Sequence, residues 1–113
     1  MNGNTLRLMM FVLALGSNMV FAGTGKVTII SPAQGATVNA QQPTRLKYEA
    51  TLGSEGDHLH LNVDGQRVSL IRALSGVVLL DPLLPGMHRI CLAENTKFHV
   101  PTGVEQCIDV ASK

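Results

Sequence analysis

Aromatic residues are scarce in this sequence of 113 residues, and their scarcity limits what the protein can bind. There is no tryptophan, one tyrosine and three phenylalanines. Beyond residue 22 only Tyr48 and Phe98 remain, which is too few for a platform on which bases or sugar rings could stack. Nine basic and eight acidic residues give a net charge of only +1. Composition therefore argues against nucleic acid as a partner.

Long hydrophobic runs are also missing. The longest run, LMMFVLAL at residues 8–15, is about half of the roughly 20 residues that a membrane-spanning helix needs. Arg7 precedes this run, and Val20-Phe21-Ala22 follows it with small residues where a signal peptidase would cut. We therefore expect residues 1–22 to be a helical signal peptide. The mature chain should then be periplasmic or secreted, without a transmembrane anchor.

Common catalytic motifs are absent from the sequence. It contains no Gly-x-Ser-x-Gly elbow, no pair of carboxylates at fixed spacing, and no glycine-rich phosphate loop that leads into a helix. A chain of this length holds one domain. From these absences we expect that the protein is not an enzyme.

Short segments with alternating polarity fill residues 23–113, which we expect to form the single domain. For example, Leu59 and Leu61 alternate with His58 and His60, and the next turn is Asp64-Gly65, a pair typical of tight hairpins. Seven such strands are expected, at residues 26–31, 45–50, 58–63, 66–71, 77–80, 87–93 and 104–110. Turn signals separate them, and no helical period of 3.6 residues is sustained. The pattern predicts an all-β, two-sheet antiparallel sandwich of about seven strands. In the fourth strand, Val68 and Leu70 are expected to face the core.

Two segments resemble parts of bacterial immunoglobulin-like domains. The stretch SPAQGATV at residues 31–38 resembles the opening of such domains, and LPGMHRI at residues 84–90 resembles their penultimate turn and strand. A longer pattern is similar to small secreted bacterial families of uncharacterised function: His58-x-His60, Asp64-Gly65, Pro85-Gly86-x-His88 and His99-x-Pro101. The resemblance implies an immunoglobulin-like or fibronectin-like sandwich in the periplasm. It implies no reaction, because a fold alone does not specify one.

The two cysteines are expected to form a disulfide. If Ile90 faces the core, Cys91 faces outward, and if Ile108 faces the core, so does Cys107. The two strands follow one another and would form a hairpin, which allows a cross-strand bond if the register sets the cysteines opposite each other. A secreted protein favours oxidation. A metal-binding or redox-active thiol pair is the alternative, but the spacing is not Cys-x-x-Cys.

Histidines carry the main chemical signal in the sequence. His58 and His60 project from one face of a strand, which we expect to be exposed to solvent. Neutral imidazole is a good ligand for copper and zinc, the candidate cofactors. In an immunoglobulin-like sandwich, the loop that carries His99 would lie at the same end as His58. Three acidic residues are candidate oxygen donors nearby: Glu55, Asp57 and Glu94. The alternative is that these histidines are only the polar side of a half-buried strand.

The remaining histidine, His88, is expected to have a structural role at the opposite end of the domain. It is in phase with Ile90 and should turn inward and bond to a loop carbonyl. For the whole protein, the leading hypothesis is a non-enzymatic secreted binding or structural module, whose protein partner the sequence does not identify. The alternative is a periplasmic copper- or zinc-binding protein that uses His58, His60 and His99.

Overall fold

A computed structural model describes residues 24–113, which form eight β-strands in two sheets. The strands are β1 (Lys26–Ser31), β2 (Thr37–Val38), β3 (Thr44–Thr51), β4 (His58–Val63), β5 (Gln66–Ile71), β6 (Ser75–Leu80), β7 (Gly86–Asn95) and β8 (Pro101–Ser112). The predicted signal peptide at residues 1–22 lies outside the described residues. Within residues 24–113 there is no helix long and apolar enough to cross a membrane.

The two sheets have three and five strands. The smaller sheet has the order β1-β3-β6, and the larger has the order β2-β8-β7-β4-β5. The predicted all-β, two-sheet sandwich is confirmed. The described residues contain one strand more than the seven predicted. The additional strand is β2, which pairs with β8 in parallel over only two residues. Two residues are too few to show an alternation in the sequence.

Inward-facing aliphatic side chains from both sheets form the core. Leu46 of the smaller sheet and Leu61, Ile90 and Val110 of the larger sheet have no exposed surface. Each such side chain contributes roughly 1.5–3 kcal/mol through burial. Tyr48 lies in the same core and donates a hydrogen bond from its hydroxyl to a loop carbonyl 2.8 Å away. The polar end of this aromatic residue is therefore satisfied inside the sandwich.

Strand β5 has the opposite phase from the one predicted. Val68 is 53% exposed and Leu70 is 38% exposed, whereas Ile71 is buried. The reason is the register with β4, which pairs Leu59 with Ile71 and Leu61 with Ser69. Residues that are paired across strands share a face, so Ser69 and Ile71 face the smaller sheet while Val68 and Leu70 turn outward.

The predicted disulfide between Cys91 and Cys107 is confirmed. Strands β7 and β8 form an antiparallel pair in which these two residues are directly opposite, with 4.0 Å between their Cα atoms. Ile90 and Ile108, the neighbours that were expected to face the core, are buried. Both sulfur atoms therefore lie on the outer face of the five-stranded sheet.

Candidate metal centre

Strand β4 presents two histidines on the outer face of the five-stranded sheet. Leu59 and Leu61 are fully buried between the sheets, so His58 and His60 must point the other way. The loop at residues 96–100, between β7 and β8, brings His99 over the same end of the strand. We call these three residues the histidine cluster.

One nitrogen atom of each ring in the histidine cluster points to a common centre. The Nε2 atom of His58 lies 3.0 Å from Nε2 of His60 and 3.2 Å from Nδ1 of His99. The third side of the triangle, from His60 Nε2 to His99 Nδ1, is 3.3 Å. The fold therefore brings the predicted trio together, although His99 is 41 positions from His58 and 39 positions from His60 in the sequence.

The burial of the cluster differs from the expectation that both strand histidines are exposed. His58 has no exposed surface, His60 is half-buried and His99 is exposed. His58 is on the predicted face, but the rings of His60 and His99 stand over it, with centroids 4.9 Å and 4.8 Å from its own. Sequence periodicity gives the face of a strand, but it does not show which loop covers that face.

Asp57 fixes the orientation of the buried ring. Its Oδ2 atom lies 2.8 Å from Nδ1 of His58 and also accepts a hydrogen bond of 3.1 Å from Arg72. The hydrogen bond from His58 is the largest cause that lowers the pKa of Asp57, and the hydrogen bond from Arg72 lowers it further. An ionised carboxylate only accepts hydrogen bonds, so in the neutral ring of His58 the proton is on Nδ1 and the free lone pair is on Nε2. A carboxylate behind a histidine is the usual outer partner of a metal ligand.

Sequence analysis did not assign a role to Arg72, although the pairing of β4 with β5 in a hairpin indicates that Arg72 lies near His58. The β4–β5 register pairs His60 with Leu70 and Leu59 with Ile71. Continued by one residue, it places Arg72 beside His58. The guanidinium therefore reaches Asp57 from the residue that directly follows β5, even though the Arg72 side chain is 66% exposed.

A compact turn positions His99. Its backbone has a φ of 63°, an uncommon value for a residue other than glycine. Thr96 holds the turn together: its carbonyl accepts the amide of His99 at 2.9 Å, and its amide donates to Val100 at 2.8 Å. Its hydroxyl accepts the amides of Phe98 and Val100. A strained residue held by its surroundings is characteristic of functional sites.

The other two predicted oxygen donors, Glu55 and Glu94, do not join the histidine cluster. Glu94 is 2% exposed and accepts hydrogen bonds from the Gly53 amide and the Thr102 hydroxyl. Gly56 lies directly on this carboxylate, since a Cβ atom there would be 2.5 Å from Glu94 Oε2. Glu55 instead lines a surface depression together with the loop at residues 96–100. Of the three predicted donors, only Asp57 contacts the cluster.

The lowered pKa of His60 favours the neutral form of its ring, which is the form that binds metal. Burial is the main cause that lowers the pKa of His60, and repulsion from His58 when it is protonated, from Arg67, and from His99 when it is protonated lowers it further. A histidine must be neutral to donate its lone pair to a metal ion.

His88 lies at the other end of the domain. Its Nε2 atom is 2.6 Å from the carbonyl of Leu84, and its Nδ1 atom is 2.6 Å from Oδ2 of Asp64. The bond to a loop carbonyl matches the structural role that the sequence suggested, and the Asp64 contact adds an ion pair. His88 is therefore not part of the histidine cluster.

Comparisons with known proteins identify the fold. No family model matches the chain, and no curated protein matches it. Among solved structures it is similar to fibronectin(III)-like modules of Clostridium thermocellum CbhA, with a TM-score of 0.64 and 14% identity. The match covers 80% of this chain and 47% of the other, so the chain spans about half the length of that structure. This chain has a fibronectin(III)-like fold. At this identity the likeness shows the fold alone.

A second solved structure corrects one of the sequence-based predictions. The chain is similar to a lytic polysaccharide monooxygenase from Jonesia denitrificans, with a TM-score of 0.49, 14% identity and 77% of each chain covered. The prediction that the protein is not an enzyme, which was drawn from absent catalytic motifs, is not upheld, since one of the solved structures similar to this chain is an enzyme. The likeness assigns no activity to this chain.

Proposed function

We propose that this protein is a secreted fibronectin(III)-like module that binds one copper or zinc ion through His58, His60 and His99. The observation that carries the proposal is the triangle of ring nitrogens, with sides of 3.0, 3.2 and 3.3 Å. Three imidazole nitrogens at these separations can share one ion at the usual zinc–nitrogen distance of about 2.0–2.1 Å. Imidazole nitrogen suits both copper and zinc.

The hydrogen-bonding pattern supports a metal site over a surface of unrelated polar residues. Asp57 fixes the proton of His58 on Nδ1, which leaves an unprotonated nitrogen, fully buried, at the centre of the cluster. Thr96 holds His99 in a strained backbone conformation that brings its ring to the same point. Exposed polar residues on a strand require neither feature.

Metal titration by calorimetry and native mass spectrometry tests the proposal. We expect one Zn²⁺ or copper ion per chain for the untagged protein. His58→Ala and His99→Ala should each weaken binding by more than about 100-fold, since even the loss of an outer partner costs 10- to 100-fold. His88→Gln is the matched control, because it removes a histidine at the opposite end of the domain and should bind like the wild type. Absence of binding in the wild type, or equal binding by His58→Ala, would refute the metal site.

The proposed location is outside the cytoplasm. The Cys91–Cys107 disulfide supports it, because such bonds persist mainly in oxidising compartments. The signal peptide predicted at residues 1–22 gives the route of export. Intact mass measurement of the protein recovered from the periplasm or medium would test both, with cleavage after Ala22 and an oxidised cysteine pair as the expected result. An uncleaved, reduced chain would contradict the proposal.

A further inference from the structure

The shape of the nitrogen triangle determines where a bound ion would sit. The three separations define a circle with a radius of about 1.8 Å, which is shorter than a zinc–nitrogen bond of about 2.0–2.1 Å. An ion therefore cannot lie in the plane of the nitrogens and would stand about 0.9 Å to one side of it. The nitrogen–metal–nitrogen angles would then be roughly 94–107°, as in a tetrahedral site that lacks one ligand.

In the part of the chain that the structure describes, no histidine, cysteine or acidic side chain supplies that missing ligand. Within residues 24–113, the group of histidine, cysteine, aspartate and glutamate ligand atoms around this point consists of the three ring nitrogens alone. The Asp57 carboxylate is held behind His58 by Nδ1 and by Arg72. Glu94 is committed to Gly53 and Thr102. Three histidines with no fourth protein donor are the arrangement found in metal sites that keep a position open.

The surroundings of the cluster suit a negatively charged ligand. His99 is exposed and His60 is half-buried, so the missing position can be reached from solvent. Arg67 pairs with Asn62, two residues along β4 from His60, so its positively charged side chain belongs to the same outer face of the sheet. The nearest carboxylate, Asp57, is paired with Arg72 and adds little repulsion. A small anion at the metal would therefore meet a net positive environment.

We propose that an ion held by His58, His60 and His99 keeps a fourth coordination position open to solvent, and that a small monodentate anion binds there. This inference rests on the proposed metal site and adds the chemical class of its external ligand. When no anion is present, water takes the position. The metal–anion bond forms as the metal–water bond breaks, and no oxidation or reduction is involved.

Cobalt substitution tests the inference, with sodium azide as the probe anion. The full protein loaded with Co²⁺ should show the intense visible absorption of a four-coordinate ion, and azide should shift these bands with one-to-one saturation. Arg67→Gln should weaken azide binding several-fold without loss of Co²⁺, because it removes a nearby positive charge. Arg45→Gln is the matched control, since this exposed residue lies on β3 of the other sheet and should leave azide affinity unchanged.

The outcomes separate this inference from the metal site itself. If the wild-type protein does not bind Co²⁺ or Zn²⁺, the proposed function fails and the inference fails with it. If the wild type binds Co²⁺ but shows the weak spectrum of a six-coordinate ion that does not respond to azide, only the open position is refuted. Equal azide affinity in Arg67→Gln and the wild type would overturn the argument from charge.

Discussion

The disulfide between β7 and β8 gives a prediction whose size follows from the structure. Cys91 and Cys107 are 16 positions apart, and the chain-entropy model gives about 3 kcal/mol for a closed loop of this length. We therefore expect the double variant Cys91→Ala/Cys107→Ala to lose about 3 kcal/mol of unfolding free energy. For a domain of this size, that corresponds to a fall in Tm of about 12–24 °C.

Urea denaturation, followed by far-ultraviolet circular dichroism, measures this loss. Reduction of the wild-type protein should lower its stability by a similar amount, because both changes release the same loop of the unfolded chain. Arg89→Gln serves as a control on the same pair of strands. It removes the exposed ion pair with Asp109, whose atoms are 3.5 Å apart, and should change stability by less than about 1 kcal/mol.

A small effect would refute the reasoning. If both the double variant and the reduced wild type lost less than about 1 kcal/mol, the bond would not restrict the unfolded chain as the loop model requires. If the double variant lost stability but the reduced protein did not, the loss would come from packing of the substituted side chains and not from the crosslink.

Two further predictions concern charged partners of histidines. Asp57→Asn should weaken zinc binding by about 10- to 100-fold in calorimetry, because the carboxylate behind His58 orients that ligand, whereas Glu55→Gln should bind like the wild type. The pKa of His88 is raised above its ordinary 6.5, mainly by the hydrogen bond with Asp64 and further by the hydrogen bond with a loop carbonyl. This ion pair stabilises the fold fully below that ordinary pKa, and its contribution is lost as pH rises through the raised value. Urea denaturation at several pH values should therefore show an unfolding free energy that declines as pH rises in the wild type but not in His88→Gln. Parallel curves for the two proteins would contradict the role of the ion pair.

The histidine cluster was only partly accessible to sequence reasoning. The two-residue period placed His58 and His60 on one face, and the resemblance to immunoglobulin-like domains placed His99 at the same end. Nothing in the sequence showed that His99 adopts a φ of 63°, or that its ring and the ring of His60 leave His58 with no exposed surface. The three carboxylates also looked equivalent, yet only Asp57 contacts the cluster. A side chain's partners depend on how loops pack, and loops carry no periodic signal.

The amino-acid sequence determined the strand pattern, the two-sheet class and the outward direction of Cys91 and Cys107. These properties are local, because successive side chains of a strand point to opposite faces wherever the strand lies. The phase of β5 was not local, since its apolar residues 68, 70 and 71 fit either face. Pairing with Leu59 and Leu61 of β4 decided it by turning Ile71 inward. Likewise, only the tertiary structure brought three ring nitrogens within 3.3 Å, because that contact joins a strand to a loop about 40 residues away.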